Sequence, residues 1–183
     1  MNKIKIYSFI SLDGYMSKMG GDMEWVSEYP SPEKSNYDFD LFYQSIHAAI
    51  VNDVYYANLQ IHDLYPFGDK EVYLISSQSI EIEINKNIKP IVNHSVKGKG
   101  YLEKAKELKR SGKGNIWLAG DHEIISAFME QGLVDEITLN VIPVTLGSGR
   151  PLFNFNNGEC GWELENHKVF ENGVVQLKYR ASV

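Results

Sequence analysis

Apolar residues along this chain follow two rhythms, and each change of rhythm marks an element boundary. Ile4, Ile6, Ser8 and Ile10 alternate with Lys5, Tyr7 and Phe9. A run so apolar on both sides predicts a central strand with both faces covered. The segment SLDGYMSKMGGDMEW then breaks the pattern, with Gly14, Gly20 and Gly21 spaced through a loop too long to be a turn. Such a loop predicts a functional flap. From Tyr37 to Ala48 the apolar spacing becomes three and four, with Phe39, Phe42, Tyr43 and Ile46 on one face of a predicted helix. Asp38 and Asp40 fall near its start, where carboxylates complement the helix dipole. Ala48 to Val51 predicts a short buried strand.

The alternation of element types continues to the end of the chain. VYYANLQ predicts a helical turn, and EVYLISS an apolar strand whose end carries Ser76, Ser77 and Gln78, well placed for ligand contact in an open α/β sheet. Ile91 and Val92 form a weaker strand signal, and Leu102, Ala105 and Leu108 set a helix over Tyr101 to Arg110 that Gly112 and Gly114 stop. NIWLAG is the next strand. Asp121 then caps a helix whose Ile124, Ile125, Phe128 and Met129 face the core, with Gly132 as its stop. EITLNVIPV is again a strand, and Glu171, Asn172 and Gly173 join WELENHKVF to VVQLKYRA as a hairpin. Strands alternating with helices and closing in an antiparallel hairpin predict an α/β fold with a mixed sheet.

Composition narrows the function. A chain of 183 residues, 43% hydrophobic and 23% charged, is expected to form one domain over residues 1–183. Its net charge of -6, without a Lys/Arg block, speaks against a nucleic-acid footprint or a basic membrane helix, which leaves small-molecule chemistry as the better expectation. The single Cys160 rules out an internal disulfide framework, and the N-terminal segment lacks the features of a signal peptide, so a cytoplasmic location is expected. The histidines His47, His62, His94, His122 and His167 follow no metal-ligand spacing, and no metal site is expected.

The succession SLDGY, AAIVND, VYLISSQ, IWLAGD, LVDEITLNVIPVTLGSGRPLF and the ENG hairpin resembles the dihydrofolate reductase-like fold. It is most similar to the C-terminal reductase domain of the bifunctional riboflavin-biosynthesis deaminase-reductase, here as a stand-alone chain without the deaminase's zinc motif. The resemblance covers nearly the whole sequence and implies a mixed, mostly parallel sheet, NADPH as hydride donor and a homodimer. It also implies cofactor contacts at Asn52, Tyr55, Ser76, Ser77, Gln78, Gly120, His122 and Glu123. Substrate contacts are implied at Ser11, Trp25, Phe42, Leu146 and Gly147. For a catalytic acid the candidates are Asp13 in the SLDGY loop and Asp38, one helical turn before Phe42, with Asp40 a close rival.

Two positions depart from the family pattern. Where it has Gly-Arg-x-Thr for the phosphates, this chain has Asn52, Asp53, Val54 and Tyr55, and where it has a Gly-Gly turn, this chain has Gly120 and Asp121. As an N-cap, Asp121 takes the N–H groups that a pyrophosphate would use. Two like charges about 4 Å apart repel by ~1 kcal/mol in a water-like medium and by more when less screened. The expectation is a reductase of a small pteridine- or pyrimidine-like heterocycle using NADPH, with Asp53 and Asp121 opposing the cofactor. The alternative is a family member that has lost hydride chemistry and serves as a ligand-binding or dimerising module.

Overall fold

The computed structural model describes residues 2–32, 35–61, 64–76, 88–92, 100–154 and 159–182. The first alternating run forms β1 (Ile4–Ser11), buried at nearly every position, and a short β2 (Tyr15–Ser17) follows it. Single 3-10 turns at Glu24–Val26 and Asn36–Asp38 lead into α1 (Phe39–Gln44), β3 (Ile46–Asn52) and α2 (Asp53–Ile61). Then come β4 (Glu71–Ser76), β5 (Ile88–Val92), α3 (Gly100–Arg110), β6 (Asn115–Ala119) and α4 (His122–Glu130). The chain closes with β7 (Glu136–Ile142), β8 (Arg150–Pro151), β9 (Trp162–Val169) and β10 (Val175–Ala181).

Eight of these strands make one mixed sheet in the order β5-β4-β3-β6-β1-β7-β10-β9, while β2 pairs with β8. The five pairings from β5 to β7 are parallel, and β10 runs antiparallel to both β7 and β9. Parallel strands need covering on both faces, and the central strands are correspondingly apolar on both. One face packs Ile4, Ile6, Ile116 and Leu118 against Leu102 and Ala105 of α3 and Ile125 and Phe128 of α4. The other packs Ile46, Val51 and Trp117 against Tyr56 of α2 and the half-buried Phe39 and Phe42 of α1. Among the described residues no helix is long and apolar enough to cross a membrane.

The helix expected from Tyr37 to Ala48 is much shorter. It ends at Gln44, and Ile46 to Ala48 belong to β3. Ile46 pairs with Asn115 and Ala48 with Ile116, so the parallel ladder to β6 outweighs the helical spacing of the side chains. Ser45 closes the last turn on the Phe42 carbonyl, which accepts from the Ser45 N–H at 3.0 Å and from Ser45 Oγ at 2.7 Å. Ahead of α1, Asn36, Tyr37 and Asp38 have φ of 39°, 48° and 56°. The left-handed region costs a non-glycine residue roughly 1–2 kcal/mol. Tyr37 is held there by its surroundings: its carbonyl accepts from Tyr7 Oη and Gln176 Nε2, each at 2.7 Å, and its hydroxyl donates to the Tyr29 carbonyl at 2.7 Å.

Candidate functional site

Between β1 and β6 the sheet comes apart. Their ladder pairs Ile4 with Ile116 and Lys5 with Trp117, whereas β1 stays paired with β7 as far as Ser11 and Ile142. Beyond Lys5 and Trp117 the two carboxyl-terminal halves diverge. A cavity of about 640 Å³ opens there, with Ile6 to Phe9 on one wall and Trp117 to Gly120 on the other. Its volume falls within the range of small-molecule sites, and it lies at the strand ends where open α/β sheets bind ligands.

The wall is apolar and rich in rings. Phe39 sits edge-on to Trp117 with centroids 5.5 Å apart and to Tyr7 at 5.3 Å, so the rings brace one another. Tyr55 from α2 and Tyr65 complete the aromatic lining, while Met23, Val26 and Ser27 come from the glycine-rich loop. No Asp, Glu, Lys, Arg or His is among the described lining residues. Burial pushes the Tyr55 phenol up to about 12, and burial, reinforced by the charge of Asp38, raises that of Tyr7 further still. Both phenols therefore stay protonated at neutral pH. Two buried donors, Trp117 Nε1 and the Tyr65 hydroxyl, have no hydrogen-bond partner among the described residues.

Two helix starts abut this cleft, one after β3 and one after β6. Asp121 Oδ1 accepts from the N–H of Glu123 at 3.1 Å and of Ile124 at 3.2 Å, which makes it the N-cap of α4. Its own N–H donates to Asn52 Oδ1 at 3.2 Å, tying the two strand ends together. At the other helix start, Asp53 accepts from the Val54 N–H at 2.9 Å and from Ser76 Oγ at 3.2 Å. A Cβ on Gly120 would lie 2.0 Å from Ile124 Cγ2, so glycine is required where the strand passes this close to α4. A pyrophosphate held in the family's manner needs those amides and a cation beside them. With a carboxylate in each place, the described residues do not fit that group.

The expected site residues divide between the cleft and its supports. Tyr55 and Gly120 line the cleft. Asn52, Ser76 and the backbone of Glu123 belong to the hydrogen-bond network of the helix starts. His122 opens α4 with Nδ1 buried and without a partner among the described residues. Ser77 and Gln78 lie outside the described residues. Phe42 stands behind the cleft, 5.6 Å from the Trp117 ring. Trp25, 4% exposed, plugs the cluster of Tyr7, Tyr37 and Phe170, while its neighbours Met23 and Val26 reach the cleft.

The three acids considered for catalysis are engaged elsewhere. Asp38 Oδ1 and Oδ2 accept from Lys168 Nζ at 2.8 and 2.9 Å. Asp40 accepts from Asn36 Nδ2 at 3.2 Å. Asp13 accepts from Ser11 Oγ at 2.6 Å, from the Gly147 N–H at 2.8 Å and from the Leu146 N–H at 3.1 Å. The Ser11 hydroxyl foremost, with those amides, holds the Asp13 carboxyl below its usual range. Asp13 thus joins the turn after β1 to the 146–147 loop, and none of Asp13, Asp38, Leu146 and Gly147 is among the cleft's described lining residues. Trp117, Tyr65, Tyr7 and Phe9 lay outside the expected set. The one signal for Trp117 was its place within IWLAG, since only the divergence of β1 and β6 turns that strand into a wall.

A profile of the RibD C-terminal domain matches residues 57–176. The chain is 30% identical over 178 residues to the uncharacterized protein YwjB of Bacillus subtilis, covering 97% of each. Among solved structures, a Shewanella protein assigned to riboflavin biosynthesis superposes with a TM-score of 0.85 at 18% identity, over 99% of each chain. A dihydrofolate reductase from Enterococcus faecalis, complexed with NADP(H), superposes with a TM-score of 0.65 at 12% identity, over 99% of this chain and 97% of that one. Both superpositions bear on the fold: it is dihydrofolate reductase-like.

Proposed function

The chain belongs to the RibD C-terminal domain family, and from that premise we propose that it is a reductase of a small planar heterocycle, pteridine- or pyrimidine-like. The observation that carries this is the ring-lined cleft between the diverging ends of β1 and β6. Aromatic walls favour a flat ring, and strand edges released from the ladder offer peptide N–H and C=O groups to its polar rim. Reduction adds a hydride and a proton to such a ring. The protein's contribution is to seat the ring, exclude water with Met23, Val26 and Phe39, and present the protonated Tyr55 phenol as a hydrogen-bond donor. With no carboxylate among the described lining residues, the proton comes from water or from a phenol.

The family implies NADPH as hydride donor, yet Asp53 and Asp121 occupy the helix starts against its pyrophosphate. That observation favours a second reading, in which hydride chemistry is lost and the cleft is kept for ligand binding. The two separate in one assay: nicotinamide absorbance is followed with NADH and NADPH against a panel of pterins and pyrimidines. Oxidation that depends on the heterocycle supports the reductase. Heterocycle binding by calorimetry without any oxidation supports the second reading, and the absence of both contradicts each of them.

A further inference from the structure

Three consecutive residues ahead of α1 have left-handed backbone, and they are not equally suited to it. Asn36 and Asp38, with φ of 39° and 56°, are residue types that visit this region, whereas Tyr37, with φ of 48°, is not. A bulky residue stays in such a conformation only where its surroundings over-determine it, and strain held this way gathers at functional sites. Tyr37 meets that condition: it is 4% exposed, and each of its polar groups is bonded. Its N–H donates to Ser31 Oγ at 3.1 Å, and its carbonyl accepts from Tyr7 and Gln176. Its hydroxyl donates to the Tyr29 carbonyl and accepts from Asn172 Nδ2.

These contacts join the closing hairpin to the cleft. Gln176 of β10 is itself fixed by donating to Oδ1 of the fully buried Asn140 at 2.9 Å, and Asn172 also donates to the Pro30 carbonyl at 3.0 Å. The Tyr37 ring continues the link, edge-on to Phe170 after β9 at 4.9 Å and to Phe9 at 5.5 Å. Tyr7 and Phe9 belong to the cleft wall, and on either side of Tyr37 the chain delivers Asn36 and Phe39 to the same wall. Tyr37, Asn172 and Gln176 are not themselves among the described lining residues.

We propose that Tyr37 is a positioning residue for the cleft: the closing hairpin holds it in a strained conformation and through it sets where Tyr7, Phe9, Asn36 and Phe39 stand. The hairpin thereby controls a site that it does not line. This role is independent of which ring the cleft binds. Removing the hairpin's grip lets residues 35–44 relax toward unstrained backbone, which loosens the wall while the sheet beneath stays folded.

Hydrogen exchange of the full chain, followed by mass spectrometry, tests this with Asn172→Ala and Tyr37→Phe, which remove one hydrogen bond from its two ends. Each is expected to speed exchange over residues 35–44 by about five- to tenfold, as loss of one hydrogen bond does, while α3 and β6 keep the wild-type rate. The double variant should fall short of the product of the two single effects, because the two side chains share that bond. Glu163→Ala, which breaks the ion pair to Arg180 elsewhere in the hairpin, is the control and should leave residues 35–44 unchanged. Calorimetry with pterin reads the cleft: both single variants are expected to bind it at least about fivefold more weakly than wild type. Unchanged exchange over residues 35–44, equal acceleration in α3 and β6, a fully multiplicative double variant, or wild-type pterin affinity in both single variants overturns the proposal. If wild type binds no pterin, the planar-ring reading fails, and the exchange rates still decide the role of Tyr37.

Discussion

Gly120 and Asp121 show how much of the site is decided by single residues. Gly120→Ala would put a methyl group 2.0 Å from Ile124 Cγ2, and we expect a loss of about 1–3 kcal/mol, read as a lower denaturant midpoint at unchanged slope. Asp121→Ala removes the acceptor for two N–H groups and is expected to cost about 1 kcal/mol, whereas Asp121→Ser retains a cap and stays near wild type. If Asp121→Ala is as stable as wild type, the capping assignment fails. The cap was legible in the sequence because a cap is a local event, fixed by the residue and its next three neighbours. Trp117 was not, because its role depends on where β1 goes after Lys5, more than a hundred residues away in sequence. Asp38 shows the same limit: its spacing to Phe42 is local, while its partner Lys168 comes from the far hairpin.

At the scale of elements, strong periodicity located the strands and α4 well. The one large error lay at the α1–β3 boundary, where apolar residues spaced three and four apart were claimed by the ladder to β6. Buried charge on β7 gives a pH prediction. Glu136, 4% exposed, is pulled upward by burial, but hydrogen bonds from Lys3 and Lys5 outweigh this and hold it below its ordinary 4.5. A carboxyl depressed in the folded state stabilises the protein above its unfolded pKa, and that stabilisation is lost as pH falls through the folded value. Stability should therefore drop as pH falls below about 4.5, more steeply in wild type than in Glu136→Gln. Parallel acid limbs for the two proteins would show that Glu136 is not held this way. Asp13 tethers another element boundary, so Asp13→Ala should speed proteolysis near residues 146–147, and an unchanged cleavage pattern would contradict the tether.

On the whole-molecule scale, the mixed sheet, the helices on both faces and the closing hairpin were legible from rhythm and resemblance. The cleft was not, because it exists only where two parallel strands part. The hairpin leaves β9 as a sheet edge, with Leu164 51% and Val169 68% exposed. Natural sheets protect such edges, and we expect a second copy of the chain to cover this one, giving a dimer in sedimentation that Leu164→Lys weakens. A wild-type monomer at all concentrations would contradict that. The central claim concerns the opposition between the aromatic cleft and its two aspartate-filled helix starts. Its most direct test is titration of NADPH into wild type and into the Asp53→Arg, Asp121→Gly double variant at low ionic strength. The account predicts weak binding to wild type and binding tightened by at least about tenfold in the variant. Tight binding to wild type that the double change leaves alone or weakens would contradict it.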